Sequence, residues 1–196
     1  MIEVEIKVKI ENPNKIRKEL IEKKGEYKFS LLHEDTYYNM PQELRDFRKT
    51  DEALRIRKSV KFHKNRPEEK EQNYYITYKG AKLDSSTKTR KEMETLINDG
   101  QIMKHILEIL EFQEVLTVKK ERELYEFGYK GKNIELLLDY LPILEQNFIE
   151  VELLIESEKQ ITSARDRLFS FLKEFNINER DSIRKSYLEL IIENLE

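Results

Sequence analysis

An unbroken alternation opens the chain, Ile2-Glu3-Val4-Glu5-Ile6-Lys7-Val8-Lys9-Ile10. Successive side chains of a strand point to opposite faces, so Ile2, Val4, Ile6, Val8 and Ile10 share one face and Glu3, Glu5, Lys7 and Lys9 the other. Asn12-Pro13-Asn14 signals a helix start. Ile16, Leu20 and Ile21 then recur at helical spacing, which predicts a helix over residues 14–24 with Gly25 as its C-terminal cap. The aromatic-rich run YKFSLLHEDTYYN, residues 27–39, reads as a strand, and residues 41–49 as a polar connection.

Alternation returns over residues 53–62, with Leu54 and Ile56 on one face and Arg55 and Arg57 on the other. The polar run HKNRPEEKEQN within residues 58–73 predicts a solvated loop leading to a strand at 74–79 that ends at Gly80. Beyond a second polar loop, residues 81–88, comes a strand at 89–97 in which Arg90, Glu92 and Glu94 share parity while Met93 and Ile97 take the opposite face. Residues 99–112 have helical spacing, with Ile102, Ile106, Ile109 and Leu110 on one stripe. Strand signals resume at 114–127, where Lys120 and Arg122 point the same way, and at 133–141 and 146–157 around Pro142. The last third predicts two helices, 158–175 and 179–195. About eight strands, mostly joined as antiparallel hairpins with helices outside, predict an α+β fold in one domain over residues 1–196.

Composition sharpens this. Charged residues make up 38% of the chain, equal to the apolar share, so either the surface is densely charged or charges line an internal site. The net charge of −3, with both signs interspersed, provides no basic field for nucleic acid. The absence of cysteine excludes disulfides and thiolate metal sites. Glu3 and Glu5 stand where a signal peptide needs an apolar run, and no stretch approaches the roughly 18 apolar residues of a membrane span. A soluble, cytoplasmic protein is expected.

The charged strand faces form two classes: Lys7, Arg55, Arg57, Lys79, Lys120 and Arg122 against Glu3, Glu5, Glu92, Glu94, Asp139, Glu150 and Glu152. On an open sheet they would be wet faces with surface ion pairs worth about 0–1 kcal/mol each. The whole set favours another arrangement, because independent surface faces give no reason for Glu-x-Glu to occur in the first strand and again in the last. Eight antiparallel strands can close into a barrel, which removes both free edges. With the apolar faces turned out against helices, the charged faces line the lumen. Isolated buried ions cost several kcal/mol, so such a lumen calls for a ligand of both signs. Triphosphate with Mg²⁺ or Mn²⁺ satisfies both classes, since carboxylate oxygens suit those ions and guanidinium forks suit phosphate.

Glu3-Val4-Glu5-Ile6-Lys7 resembles the ExExK signature of the CYTH superfamily, the triphosphate tunnel metalloenzymes. The ordered blocks that follow carry the likeness: Asp35-Thr36-Tyr37-Tyr38, Leu54-Arg55-Ile56-Arg57, Thr77-Tyr78-Lys79-Gly80, Arg90-Lys91-Glu92-Met93-Glu94, Lys120-Glu121-Arg122, Asp139 and Glu150-Val151-Glu152, with Ser186-Tyr187 similar to the closing helix of the class IV adenylyl cyclase-like branch. The resemblance implies an eight-stranded antiparallel β-barrel, a triphosphate tunnel with flanking helices. It implies phosphate contacts from Lys7, Arg55, Arg57, Lys79, Lys120 and Arg122. It implies one or two divalent metals, Mg²⁺ or Mn²⁺, on Glu3, Glu5, Asp139, Glu150 and Glu152, with Glu3, Glu5 and Lys7 catalytic. Arg90, Glu92 and Glu94 fit either tunnel-wall ion pairs or ligand contacts, and Lys185 either closes the phosphate site or stands solvated on the terminal helix. Homodimers are common among cyclase-like relatives.

His33, His63 and His105 lack metal-ligand spacing and read as structural or surface residues. With 5 glycines and no GxxxxGK[ST], phosphate must be held by side chains and not by backbone amides. Three functions remain open at this level: a cyclase making cyclic AMP and pyrophosphate from ATP, a triphosphatase acting on inorganic or organic triphosphate, and a non-catalytic polyphosphate-binding module.

Overall fold

The computed structural model describes residues 2–41, 43–84 and 87–195. Eight strands, β1 (Ile2–Ile10), β2 (Glu26–Asn39), β3 (Ala53–His63), β4 (Arg66–Lys82), β5 (Arg90–Ile97), β6 (Gln113–Tyr129), β7 (Lys132–Leu141) and β8 (Gln146–Ile155), form one sheet. It closes on itself in the order β1-β5-β4-β3-β2-β6-β7-β8, and every pairing is antiparallel. Four helices flank it: α1 (Pro13–Glu22), α2 (Gly100–Ile109), α3 (Ile161–Lys173) and α4 (Tyr187–Leu195). Among the described residues no helix is long and apolar enough to cross a membrane.

The alternation of β1 decides which side is which. Ile2, Val4, Ile6, Val8 and Ile10 are buried outside the barrel, in one core with Ile16 and Leu20 of α1, Leu136 and Leu138 of β7, and Leu168, Phe171 and Leu172 of α3. Burying an aliphatic side chain of this size is worth about 1.5–3 kcal/mol, so this outward core holds the charged face inward.

Local signals place the helices. Asn12 caps α1 by accepting from the Lys15 amide, with Pro13 in the first turn. The left-handed residue at its end is Lys24, with φ 62°, and not Gly25. Gly25 is required for space instead: a Cβ there would lie 2.2 Å from the Phe127 ring. Asp99 caps α2 by accepting from the Gln101 and Ile102 amides. The β6–β7 turn uses Lys130 and Gly131, both at positive φ, as a two-residue hairpin of this twist requires.

Three expectations change. Residues 66–73, read as loop, extend β4 as a two-stranded ribbon with β3, in which Lys61 faces Glu71; the ribbon is largely exposed, so no apolar alternation marks it. The stripe Ile102, Ile106, Ile109 and Leu110 is exposed, and α2 docks through Leu107 and Met103 on Ile56 and Tyr38. Residues 179–195 are not one helix: α4 begins at Tyr187, and Ser182 bridges Val8 of β1.

That last difference shapes the tunnel. β1 meets β5 only at Ile2↔Lys91 and Glu3↔Arg90. Farther along, the Lys88 amide donates to the Glu5 carbonyl at 3.0 Å and the Ile183 amide to the Lys7 carbonyl at 2.7 Å, so two irregular segments seal the seam. α4 then stands across one end, packing Tyr187 and Ile191 on Tyr37, Val118, Leu141 and Phe148, which have the parity of the lumen residues.

Candidate active site in the tunnel

The tunnel cavity is about 1160 Å³, opens to solvent, and is lined by Glu3, Glu5, Arg55, Arg57, Lys79, Arg90, Glu92, Glu94, Lys120, Arg122, Glu150 and Glu152. Lys7 and Asp139 are fully buried beside it. Lys185 is the exception: its ammonium pairs at the surface with Glu193 at 2.7 Å, and only its carbonyl reaches the site, accepting from Lys7 Nζ.

The charges fall into two groups. Most are paired. Arg57 donates in fork fashion to Asp35 at 2.6 and 2.7 Å, and Arg55 lies 3.5 Å from the same carboxylate and 3.2 Å from Glu94. Arg122 donates to Asp139 at 2.7 and 2.6 Å and to Glu150 at 2.5 Å. Lys79 pairs with Glu92 at 2.6 Å, and Arg90 lies 3.5 Å from Asp51. Burial alone would raise Asp35, but the Arg57 and Arg55 guanidiniums hold it well below the usual carboxylate range.

The second group is surplus. Glu3, Glu5 and Glu152 each offer a carboxylate oxygen, and these lie within 4.8 Å of one another. Among the described residues no side-chain cation pairs with Glu3 or Glu152. Burial and the Glu3 charge push Glu152 well above its ordinary range, burial and Glu92 raise Glu3, and burial with the Glu150 charge lifts Glu5 to about 7. On the cationic side, Lys7 has no carboxylate partner among the described residues; its ammonium sits 4.1 Å from the Tyr187 ring centroid. Burial and the Lys88 charge lower it to about 7. Lys120 is 3.8 Å from Asp139, and burial with Arg122 lowers it to about 8.

A hard divalent cation fits the acidic cluster, because three converging carboxylates are the donor set that Mg²⁺ and Mn²⁺ take, and Lys88 answers only one of them, Glu5. Glu3, Glu5 and Glu152 would hold it. Asp139 and Glu150 are engaged by Arg122; Glu150 also hydrogen-bonds Glu5 of the cluster, and Asp139 accepts from the Tyr187 hydroxyl at 2.8 Å.

Four residues of the lumen carry no role in the sequence reading. Asp35 has the inward parity of its strand and orients both arginines of Arg-x-Arg; that parity was its signal. Tyr187 forms an aromatic wall against Lys7 and Lys120. His33, opposite Ser59, is buried and neutral, since burial and the Arg57 and Lys120 charges depress its pKa far below the usual histidine range. Lys88 comes from the connection before β5 and pairs with both Glu5 and Glu150, the latter at 2.9 Å; a polar loop has no periodicity that could reveal it.

The CYTH domain model matches residues 1–187. A relative from Methanocaldococcus jannaschii, named "putative adenylate cyclase", is 41% identical over 192 residues, covering 97% of this chain and 98% of its own. A solved structure from Pyrococcus horikoshii is 37% identical with a TM-score of 0.82, covering 98% of this chain and 99% of that one. A Hippeastrum structure, 17% identical with a TM-score of 0.63 over 98% and 96% of the two chains, shares the fold; its description as a putative adenylyl cyclase reports a dominant triphosphatase activity. Enzymes of the matched family are metal-dependent and bind triphosphate substrates in this tunnel. With a family match over most of its length and two relatives of this identity, the chain belongs to the CYTH domain family.

Proposed function

We propose that the protein is a metal-dependent enzyme that takes a nucleoside triphosphate in its tunnel and acts as a class IV adenylyl cyclase-like enzyme, converting ATP to cyclic AMP and pyrophosphate. The observation that carries this reading is the excess of like charge at two places in one cavity: among the described residues Glu3 and Glu152 have no side-chain cation and Lys7 no carboxylate, and a metal-chelated phosphate chain supplies both. Room supports an organic substituent, because about 1160 Å³ exceeds the roughly 300–1,000 Å³ that encloses drug-sized ligands. Phe47, Val115, Leu154, Leu188 and Ile192 add apolar lining where a nucleoside can lie.

In this reading Lys7, Arg55, Arg57, Lys120 and Arg122 bind the phosphate oxygens and hold the chain in line for attack. Asp35 and Asp139 keep the guanidinium forks oriented before substrate arrives, so little reorganisation remains during reaction. The 3′-hydroxyl attacks the α-phosphorus, its proton passes to a carboxylate of the Glu3/Glu5 pair, and pyrophosphate leaves on the cationic groups. A bound Mg²⁺ or Mn²⁺ supplies Lewis-acid neutralisation of the phosphate oxygens. The Tyr187 wall and α4 restrict water at one end.

A triphosphatase is the second reading, favoured by the activity described for the Hippeastrum structure of the same fold. The same side chains then serve water attacking the terminal phosphorus. Purified protein incubated with ATP or tripolyphosphate plus Mg²⁺ or Mn²⁺ tests both: cyclic AMP with pyrophosphate establishes the cyclase, orthophosphate the triphosphatase, and neither product removes the enzymatic reading.

A further inference from the structure

Among the described residues, Lys88 is the cation that pairs with a carboxylate of the acidic cluster. It bridges Glu5 and Glu150, and its side chain is 11% exposed, facing the cavity. Its amide donates to the Glu5 carbonyl, and the neighbouring Thr87 is held by Asp84, which accepts from the Thr87 amide at 2.9 Å and the Thr87 hydroxyl at 3.0 Å. Arg165 of α3 lies 3.5 Å from Asp84, and Arg184 donates to the Asp84 carbonyl at 3.0 Å. The connection is therefore built to present one ammonium to Glu5, the carboxylate that the acidic cluster shares with the paired network.

We propose that Lys88 is an internal counter-ion that occupies Glu5 when no divalent cation is bound and must be displaced from it for the metal to enter, so that Lys88 sets the metal affinity of the tunnel. This rests on the assignment of Glu3, Glu5 and Glu152 as metal donors. A fixed ammonium within bonding distance of a carboxylate competes directly with a cation for the same oxygen. Glu3 and Glu152, free of side-chain cations, remain as the entry point for the ion, while Glu5 exchanges one positive partner for another. The protein thus avoids an uncompensated carboxylate triad in its metal-free state at the cost of weaker metal binding.

Mn²⁺ titration by calorimetry at pH 8, without phosphate ligand, on wild type, Lys88→Met and Lys88→Arg tests this. Lys88→Met should bind Mn²⁺ more tightly by a factor within the about 5–150-fold range typical of coupled sites, and Lys88→Arg should resemble wild type. Melting in EDTA and in Mn²⁺ supplies a second readout: Lys88→Met should melt below wild type in EDTA and recover with Mn²⁺, whereas a merely structural bridge would leave it low in both. Should Lys88→Met not fold in EDTA, Asp84→Ala, which loosens the turn without altering a lumen charge, should also tighten Mn²⁺ binding, by a smaller factor. Wild type binding Mn²⁺ while Lys88→Met binds it equally or more weakly overturns the role of Lys88 and leaves the metal site standing. No Mn²⁺ binding by any variant overturns both.

Discussion

Two regions of the same lumen treat charge in opposite ways. Around Asp35, the carboxylate is answered by Arg57 in a two-pronged bond and by Arg55 beside it. At the Glu3, Glu5 and Glu152 cluster, three carboxylates crowd within 4.8 Å, and among the described residues only Glu5 pairs with a cation. The first arrangement is complete without ligand and fixes geometry. The second keeps a repulsion that Lys88 answers only at Glu5. Charge is thus balanced within the protein around Asp35 and left in excess at the acidic cluster.

Substitutions should separate the two regions. The largest effect is expected at the paired one: Asp35→Ala leaves Arg57 without its carboxylate and Arg55 with Glu94 alone, and should cost about 3–5 kcal/mol of stability, read by denaturant unfolding. A loss below about 1 kcal/mol would show that the arginines are already solvated. At the surplus cluster the sign for stability reverses. Glu5→Gln and Glu152→Gln should lower turnover by at least about 10²–10³-fold, while Glu152→Gln leaves the metal-free melting temperature unchanged or raises it, because it removes repulsion. Turnover retained in both variants would end the assignment of the cluster. Arg57→Ala should weaken triphosphate binding by roughly 10–100-fold, a loss of about 1.4–2.8 kcal/mol; unchanged binding by calorimetry would confine Arg57 to orienting Asp35.

The smallest effect concerns pH. His33 is neutral in the fold with its pKa depressed, so its contribution to stability is present above the unfolded value of about 6.5 and is lost as pH falls below it. The slope from one such group is about 1.4 kcal/mol per pH unit. Wild type should therefore lose stability more steeply than His33→Asn between pH 6.5 and 5; parallel curves would show that His33 is hydrated. Mn²⁺ should act the other way at the cluster. The gain in melting temperature it confers should grow from pH 5.5 to 7.5, as Glu5, held near 7, releases its proton to solvent and its carboxylate becomes available to the ion.

How far each of these features could be read in advance follows from the range of the interaction behind it. The inward face of β1 was legible because period-two alternation is a local property of nine residues, and a one-residue slip would turn all its aliphatics to the lumen. The charged parities of β3, β6 and β8 were legible for the same reason. The exposed stripe of α2 was not, because spacing names an apolar face and does not say which face the protein covers: α2 sits over Ile56 and Tyr38 through Leu107, leaving Ile102, Ile106 and Ile109 outside. The helix expected over residues 179–195 failed in its first turns because Ile183 and Ser182 find backbone partners on β1 that no local pattern announces.

By itself the sequence determined that the charged strand faces are collected on one side, which residues belong to them, and that their two signs call for a phosphate chain and a metal. Only the tertiary structure decided which of those charges cancel. Asp139 and Glu150 bond to Arg122, and among the described residues Glu3 and Glu152 are left without a cation. Lys88, from a turn without periodicity, arrives between the two sets. Parity is written into each strand separately, whereas pairing depends on register across the closed sheet, which hydrogen bonds between distant segments set.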